Sequence, residues 1–243
     1  MKKETLPAHE YEKIIHFASE IVRPAKNIRF HIQQQLHLFF GYHSSIFWDI
    51  DDEGNLSNPS AYFIDDQFMS VYLKEFHQID VLHPKKYLPL FLERNILRIS
   101  DIMSWKEYEK SYYYQFLMKR YGFYDQLGIV FTYNNRPIGA IGMAKHESQK
   151  HFTELDCMRF HYLSKIISSV LLHEIRNEWK HSLLSKREKE VVKLVKEGKT
   201  NAVIAKELHV SIINTVKKHL QNIYQKYNVQ NRIQLIEKLR SHH

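Results

Sequence analysis

Cysteine occurs once in the 243-residue chain, at Cys157, which excludes an internal disulfide framework and fits a reducing compartment. The seven glycines and six prolines form no phosphate-cradling loop, and no G-x-S-x-G turn is present. No apolar run approaches the roughly 18 residues that span a bilayer. The opening "MKKETLPAHEYEK" has basic residues with no apolar stretch behind them, unlike a secretory signal. Sixteen histidines suggest a metal, but there is no H-E-x-x-H and no i, i+4 histidine pair on a helix with a third ligand nearby. His77 and His83 flank Asp80 and read as surface or core histidines. Cys157, near a helix start, is a candidate for a lowered thiol pKa, although it has no resolving partner. The expectations are no enzyme, no metal site and no cofactor.

Acidic residues are scarce in one region only. Residues 183–243 carry 13 Lys/Arg against 5 Asp/Glu, whereas residues 1–182 carry 22 of each. The whole surplus of +8 therefore sits in the last quarter of the chain. A small basic module on a neutral body points to a polyanionic partner for that module alone. Aromatic residues divide the other way: beyond residue 182 only Tyr224 and Tyr227 occur.

The basic module reads as four helices. "SKRE" supplies a capping box, with Ser185 at the N-cap and Glu188 three residues on. Val191, Leu194 and Val195 follow at helical spacing, and Gly198 ends the helix. Thr200 caps a second helix, "NAVIAKELH". A turn around "VSIIN" leads to a third, and "NRIQLIEKLR" forms the fourth. At about 100° per residue, Leu220, Ile223 and Tyr227 all fall within about 40° of Val216. The opposite side holds Asn214, Lys218, Gln221, Asn222 and Gln225, with Lys217 at its flank. No acid lies between Glu207 and Glu237. Such a face offers donors to base edges and phosphates in a major groove.

The residues Glu188, Leu194, Gly198, Asn201, Ile204–Ala205, Leu208, Ser211, Thr215–Val216–Lys217, His219, Ile223, Val229 and Asn231–Arg232 resemble the LuxR/FixJ-type helix-turn-helix of bacterial transcription regulators. The resemblance implies that the helix starting near Thr215 enters the major groove. Lys217, Lys218 and Gln221 would then reach bases, while Thr200, Thr215, His219 and Arg232 meet phosphates. It also implies dimer contacts through Ile233, Ile236 and Leu239, for which packing within the module is the equal alternative. One departure stands out. The family places two residues between Ser211 and Thr215–Val216, and here there are three: Ile212, Ile213 and Asn214. The stripe from Val216 to Tyr227 is in phase, so the extra residue is expected in the turn, with Asn214 as a replacement N-cap and DNA contact.

In the front part, "SSIFWDI" with "SAYFID" and "LGIVFTY" with "IGAIGMA" read as hairpins, and "NILRIS" as a short strand. Helices are expected over residues 7–40 (interrupted near Pro24), 65–78 and 106–122. The fold class is α+β, an antiparallel sheet with flanking helices. "FFGYHSSIFWDIDDEG", "IDVLHP" and the closing "GIVFTYNNRPIGAIGMAKHESQKHFTELD" resemble the GAF-like sensor half of some bacterial regulators. The Trp/Tyr/Asp/Trp constellation of acyl-homoserine-lactone receptors is not found in a convincing form. Trp48, Tyr62, Trp105 and Tyr112 are candidates for a ligand pocket, against the alternative that aromatics simply build the core.

Thr153 and Asp156 open a helix that can run to about Lys180, roughly 40 Å long at about 1.5 Å per residue. Leu163, Ile167 and Val170 on its apolar face cover the sheet, pair with a second copy, or do both along the helix's length. The expected organisation is a GAF-like sensor domain over 1–152, a connecting and dimerisation helix over 153–182, and an all-α four-helix DNA-binding domain over 183–243. The expected partners are double-stranded DNA, a second copy of the chain, and a small-molecule ligand or partner protein, with no membrane. The expected protein is a cytoplasmic, homodimeric, sequence-specific transcription regulator. The alternatives for the front half are a DNA-tethered enzyme and a protein-docking module.

Overall fold

The computed structural model describes residues 5–149, 151–182, 184–209 and 213–240. The chain divides into two compact units, Met1–Leu172 and His173–His243.

The first unit is built on one antiparallel sheet. Its strands are β1 (Ser44–Ile50), β2 (Leu56–Tyr62), β3 (Ile96–Arg98), β4 (Phe123–Tyr133) and β5 (Arg136–His146), in the spatial order β2-β1-β5-β4-β3. The β4–β5 hairpin closes through Asn134 and Asn135, both at positive φ (48° and 60°). Asparagine tolerates that left-handed backbone, which the tight two-residue turn requires. Strand alternation sends Phe47 to one face and its neighbours Ile46 and Trp48 to the other.

Phe47, Leu127, Ile129, Phe131, Ile141 and Met143 pack against α1 (Ala8–Ile21), α2 (Ile28–Phe40) and the first part of α7 (Glu154–Ser182). From α7, Phe160, Leu163 and Ile167 are fully buried in this core. Leu163 and Ile167 are thus sheet cover, while Val170 is only partly buried.

The other face carries α3 (Asp66–Val71), α4 (Pro84–Arg94), α5 (Ile99–Ile102) and α6 (Trp105–Lys110). The helix expected over 65–78 is regular only through Val71. It widens into a π-helical turn at Tyr72–Phe76, with both of those side chains buried, and ends as a 3-10 turn over His77–Ile79. The helix expected over 106–122 likewise breaks: Ser111 leaves helical geometry (ψ 147°), and a π-helical turn follows at Tyr114–Met118. α4 is an element that the sequence pattern did not suggest, because Pro89 lies inside it. The helix is kinked there, with Tyr87 at φ −130° and ψ 26°. Such a kink accommodates a proline with no N–H to give.

The second unit contains α8 (Lys186–Lys196), α9 (Asn201–Glu207), α10 (Ile213–Tyr227) and α11 (Arg232–Arg240). Their core joins Val191, Val195, Ile204, Val216, Leu220, Ile223, Tyr227, Leu235 and Leu239. No described helix is long and apolar enough to cross a membrane.

Candidate nucleic-acid interface and sensor cavity

α10 owes its orientation to its apolar stripe. Val216, Leu220, Ile223 and Tyr227 are all buried, whereas Asn214, Thr215, Lys217, Lys218, Gln221, Asn222 and Gln225 are exposed. The amide-and-lysine face expected from the sequence is therefore free to meet a partner. His219 is half-buried at its edge. Asn214 is not the cap: α10 begins at Ile213, so Asn214 lies inside the first turn. Ile212 lies outside the described residues.

Several polar contacts fix the helix within its unit. Ser185 and Glu188 form the expected capping box: Ser185 N–H donates to Glu188 Oε2 (2.7 Å) and Glu188 N–H to Ser185 Oγ (3.2 Å). Lys226 Nζ donates to the same carboxylate at 2.6 Å, tying α8 to the end of α10. Burial alone would raise the Glu188 pKa, but hydrogen bonds from Lys226 and Ser185 outweigh it and hold the carboxyl below its usual range. Sequence reading identified Glu188 as a cap and missed Lys226 as its partner.

Arg232, expected at a phosphate, is engaged internally. Its Nη1 donates to Asn201 Oδ1 (3.1 Å), and Nη2 donates to the Lys199 carbonyl. The guanidinium thus joins the starts of α9 and α11. Thr200 caps α9, its Oγ1 accepting from Val203 N–H (3.4 Å). Of the residues expected at a dimer contact, Ile233 is 70% exposed, Ile236 is half-buried and Leu239 is buried in the core.

In the first unit, a cavity of about 60 Å³ lies between the sheet and the α3–α4 side. Trp48, Phe68, Tyr72, Phe91, Met118 and Gly142 contribute to its apolar lining. A Cβ added at Gly142 would meet nothing within 4 Å, so the sheet leaves open space there. Trp48 is the one pocket candidate that lines the cavity. Tyr62 packs against Phe30 and Phe63, Trp105 stacks on Tyr124 and His151, and Tyr112 lies 60% exposed over Phe76. None of these three is among the residues that line the cavity.

The polar lining includes Asp80, His83, Tyr113 and Gln126. Asp80 is buried, with Oδ2 accepting from Tyr72 Oη (2.8 Å) and Oδ1 from Leu82 N–H (2.9 Å). Desolvation raises its pKa despite those bonds. Burial likewise raises the Tyr72 phenol well above its ordinary value. Asp80, Tyr72, Tyr113 and Gln126 were not singled out as site residues, since a lone carboxylate between histidines carries no spacing signature. Cys157 lies away from this cavity, and burial pushes its thiol up to about 11, the reverse of an activated thiolate.

Comparison with known proteins agrees with the geometry of the second unit. Residues 182–239 match the bacterial regulatory proteins of the luxR family. The match covers this C-terminal segment, which is a luxR-family domain, and does not extend into the front unit. The chain is 24% identical over 196 residues to the monoamine regulon transcriptional regulator of Klebsiella aerogenes, covering 80% of this chain and 82% of that one. It is 44% identical over 68 residues to the transcriptional regulatory protein LiaR of Bacillus subtilis, covering 28% of this chain and 32% of LiaR. Among solved structures it is similar to SdiA in complex with octanoyl-rac-glycerol, at 21% identity and a TM-score of 0.45, covering 99% of this chain and 97% of that one. The two relatives matched by sequence are named as transcriptional regulators.

Proposed function

We propose that the chain acts in the cytoplasm as a homodimer that reads an inverted-repeat operator through α10, under the control of a small molecule held in the front unit. The observation that carries the reading half is the exposed, acid-free face from Asn214 to Gln225 on a helix whose other side is buried. Lys217, Lys218 and Gln221 take the base-contacting role in a major groove, and Thr200, Thr215 and His219 take the phosphate role. Arg232 acts one step back, holding α9 and α11 in register for those contacts. Ile233 is the dimer contact best supported by exposure.

The sensing half rests on the cavity beside Trp48, with apolar walls and a few polar groups, the usual composition of a small-molecule site. A docking role for the same unit draws on a separate feature. Leu73, Ile79, Tyr112 and Phe116 are exposed on its helical layer and suit a protein partner.

The test of the reading face is competition binding of the full chain against single-base variants of its operator. Lys218→Ala and Gln221→Ala are each expected to lose about 1–3 kcal/mol of discrimination at one position. Unchanged selectivity in both would remove α10 from the reading role.

A further inference from the structure

The cavity wall contains two buried polar atoms without a hydrogen-bond partner among the described residues: His83 Nε2 and Gln126 Oε1. Neighbouring contacts fix which is donor and which acceptor. His83 caps α4, its Nδ1 accepting from Lys85 N–H (3.2 Å), so Nδ1 carries no proton and the ring proton sits on Nε2. Gln126 Nε2 donates to Tyr113 Oη (2.9 Å). The amide is thereby oriented, with Oε1 left as an acceptor. The wall thus presents one unmatched donor and one unmatched acceptor. Leaving such groups unpaired costs about 1–3 kcal/mol each.

The same wall has no free charge to offer. Each oxygen of Asp80 already accepts one hydrogen bond, burial works against its charged form, and Lys86, the nearby cation, donates to the Asp80 carbonyl (2.7 Å). Burial, reinforced by His77 and the neighbouring lysines, lowers the His83 pKa to about 4, so its ring is neutral under ordinary conditions.

We infer that the sensed molecule is uncharged, with a hydrogen-bond acceptor for His83 Nε2–H, a donor for Gln126 Oε1, and a compact apolar body against Trp48 and Phe68. This rests on the small-molecule reading above and names the chemistry of that ligand. A primary carboxamide is the simplest group carrying both functions. An ammonium would find only the Asp80 carboxyl, whose charged form burial disfavours and whose oxygens each hold one bond already, and a carboxylate would find Lys86 engaged by the Asp80 carbonyl.

The test uses three isosteric probes on the full-length protein: isobutyramide, isobutylamine and isobutyrate, each titrated while the Trp48 indole N–H resonance is followed. Trp48→Phe identifies that resonance. Isobutyramide is expected to shift it saturably, with at least about tenfold tighter binding than the amine or the acid. His83→Asn keeps an N-capping acceptor for Lys85 N–H but removes the ring N–H, and Gln126→Met removes the amide at similar length. Each is expected to weaken isobutyramide binding about tenfold or more, the cost of one lost partner, at a melting temperature of the free protein that holds or rises. Tighter binding of the amine or the acid, or full isobutyramide affinity in both variants, would overturn the uncharged-ligand inference while leaving small-molecule sensing in place. Failure of all three probes to shift Trp48 would overturn both.

Discussion

Glu188 shows how one side chain serves two elements. It closes the first turn of α8 and accepts a hydrogen bond from the Lys226 ammonium of α10, so its removal loosens the cap and the packing of α10 together. Glu188→Ala is expected to destabilise the second unit by about 1–3 kcal/mol, through a lost cap bond and a partly buried cation left without this carboxylate. Urea unfolding of the full chain, followed by a signal from this unit, checks the value. An unchanged midpoint would contradict the role. Tyr108 gives the opposite case: it is fully buried, and its hydroxyl has no hydrogen-bond partner among the described residues. Tyr108→Phe removes that unpaired group and keeps the ring. The melting temperature should therefore hold or rise, and a clear fall would reveal a partner for the hydroxyl.

At the scale of elements, legibility followed periodicity. The stripe on α10, the cap at Ser185, the β4–β5 hairpin and the long α7 are regular patterns that the sequence displays directly, whereas β2 spans Leu56–Tyr62 and ends inside the expected strand "SAYFID", where Phe63 turns to positive φ. The π-helical turns after Val71 and Tyr113 and the Pro89-containing α4 follow no such period, because tertiary packing around the cavity overrides local preference there. The same holds for site residues. Lys218 and Gln221 were readable as one face of a helix, whereas Gln126 and Asp80 meet only through the fold.

A further contact between elements is the polar staple joining α1 to α7. Arg159 Nη2 donates to Glu10 Oε1 (2.9 Å) and Nη1 to Asp156 Oδ1 (3.1 Å), while Tyr42 Oη and Lys145 Nζ also donate to Asp156. The Arg159 bond holds the Glu10 pKa below its ordinary 4.5. Asp156 also lies below its ordinary 3.8: burial would raise it, and the bonds from Thr153, Tyr42 and Lys145 prevail. Carboxyls with depressed native pKa values add stability that is complete above their ordinary values and lost as pH falls through the native ones. Thermal melts between neutral pH and pH about 3 should therefore show a steep acid limb that is shallower in Glu10→Gln. Parallel limbs would show that Glu10 does not contribute to it.

Across the whole molecule, charge and aromatic content divide in the same way as the two units. The basic surplus lies where the LuxR-family domain is, and the aromatic residues lie where the sheet has two packed faces and a cavity. A regulator of the proposed kind has to read DNA selectively for sensing to have an output. The proposed homodimer predicts what it reads: two inverted half-sites with centres about one helical turn, or a whole multiple of it, apart. Selection of the full-length protein on duplexes with a randomised core tests this most directly. Enrichment of an inverted repeat with such spacing is the expected result. Recovery of unenriched sequence in proportion to its input would contradict sequence-specific reading by α10.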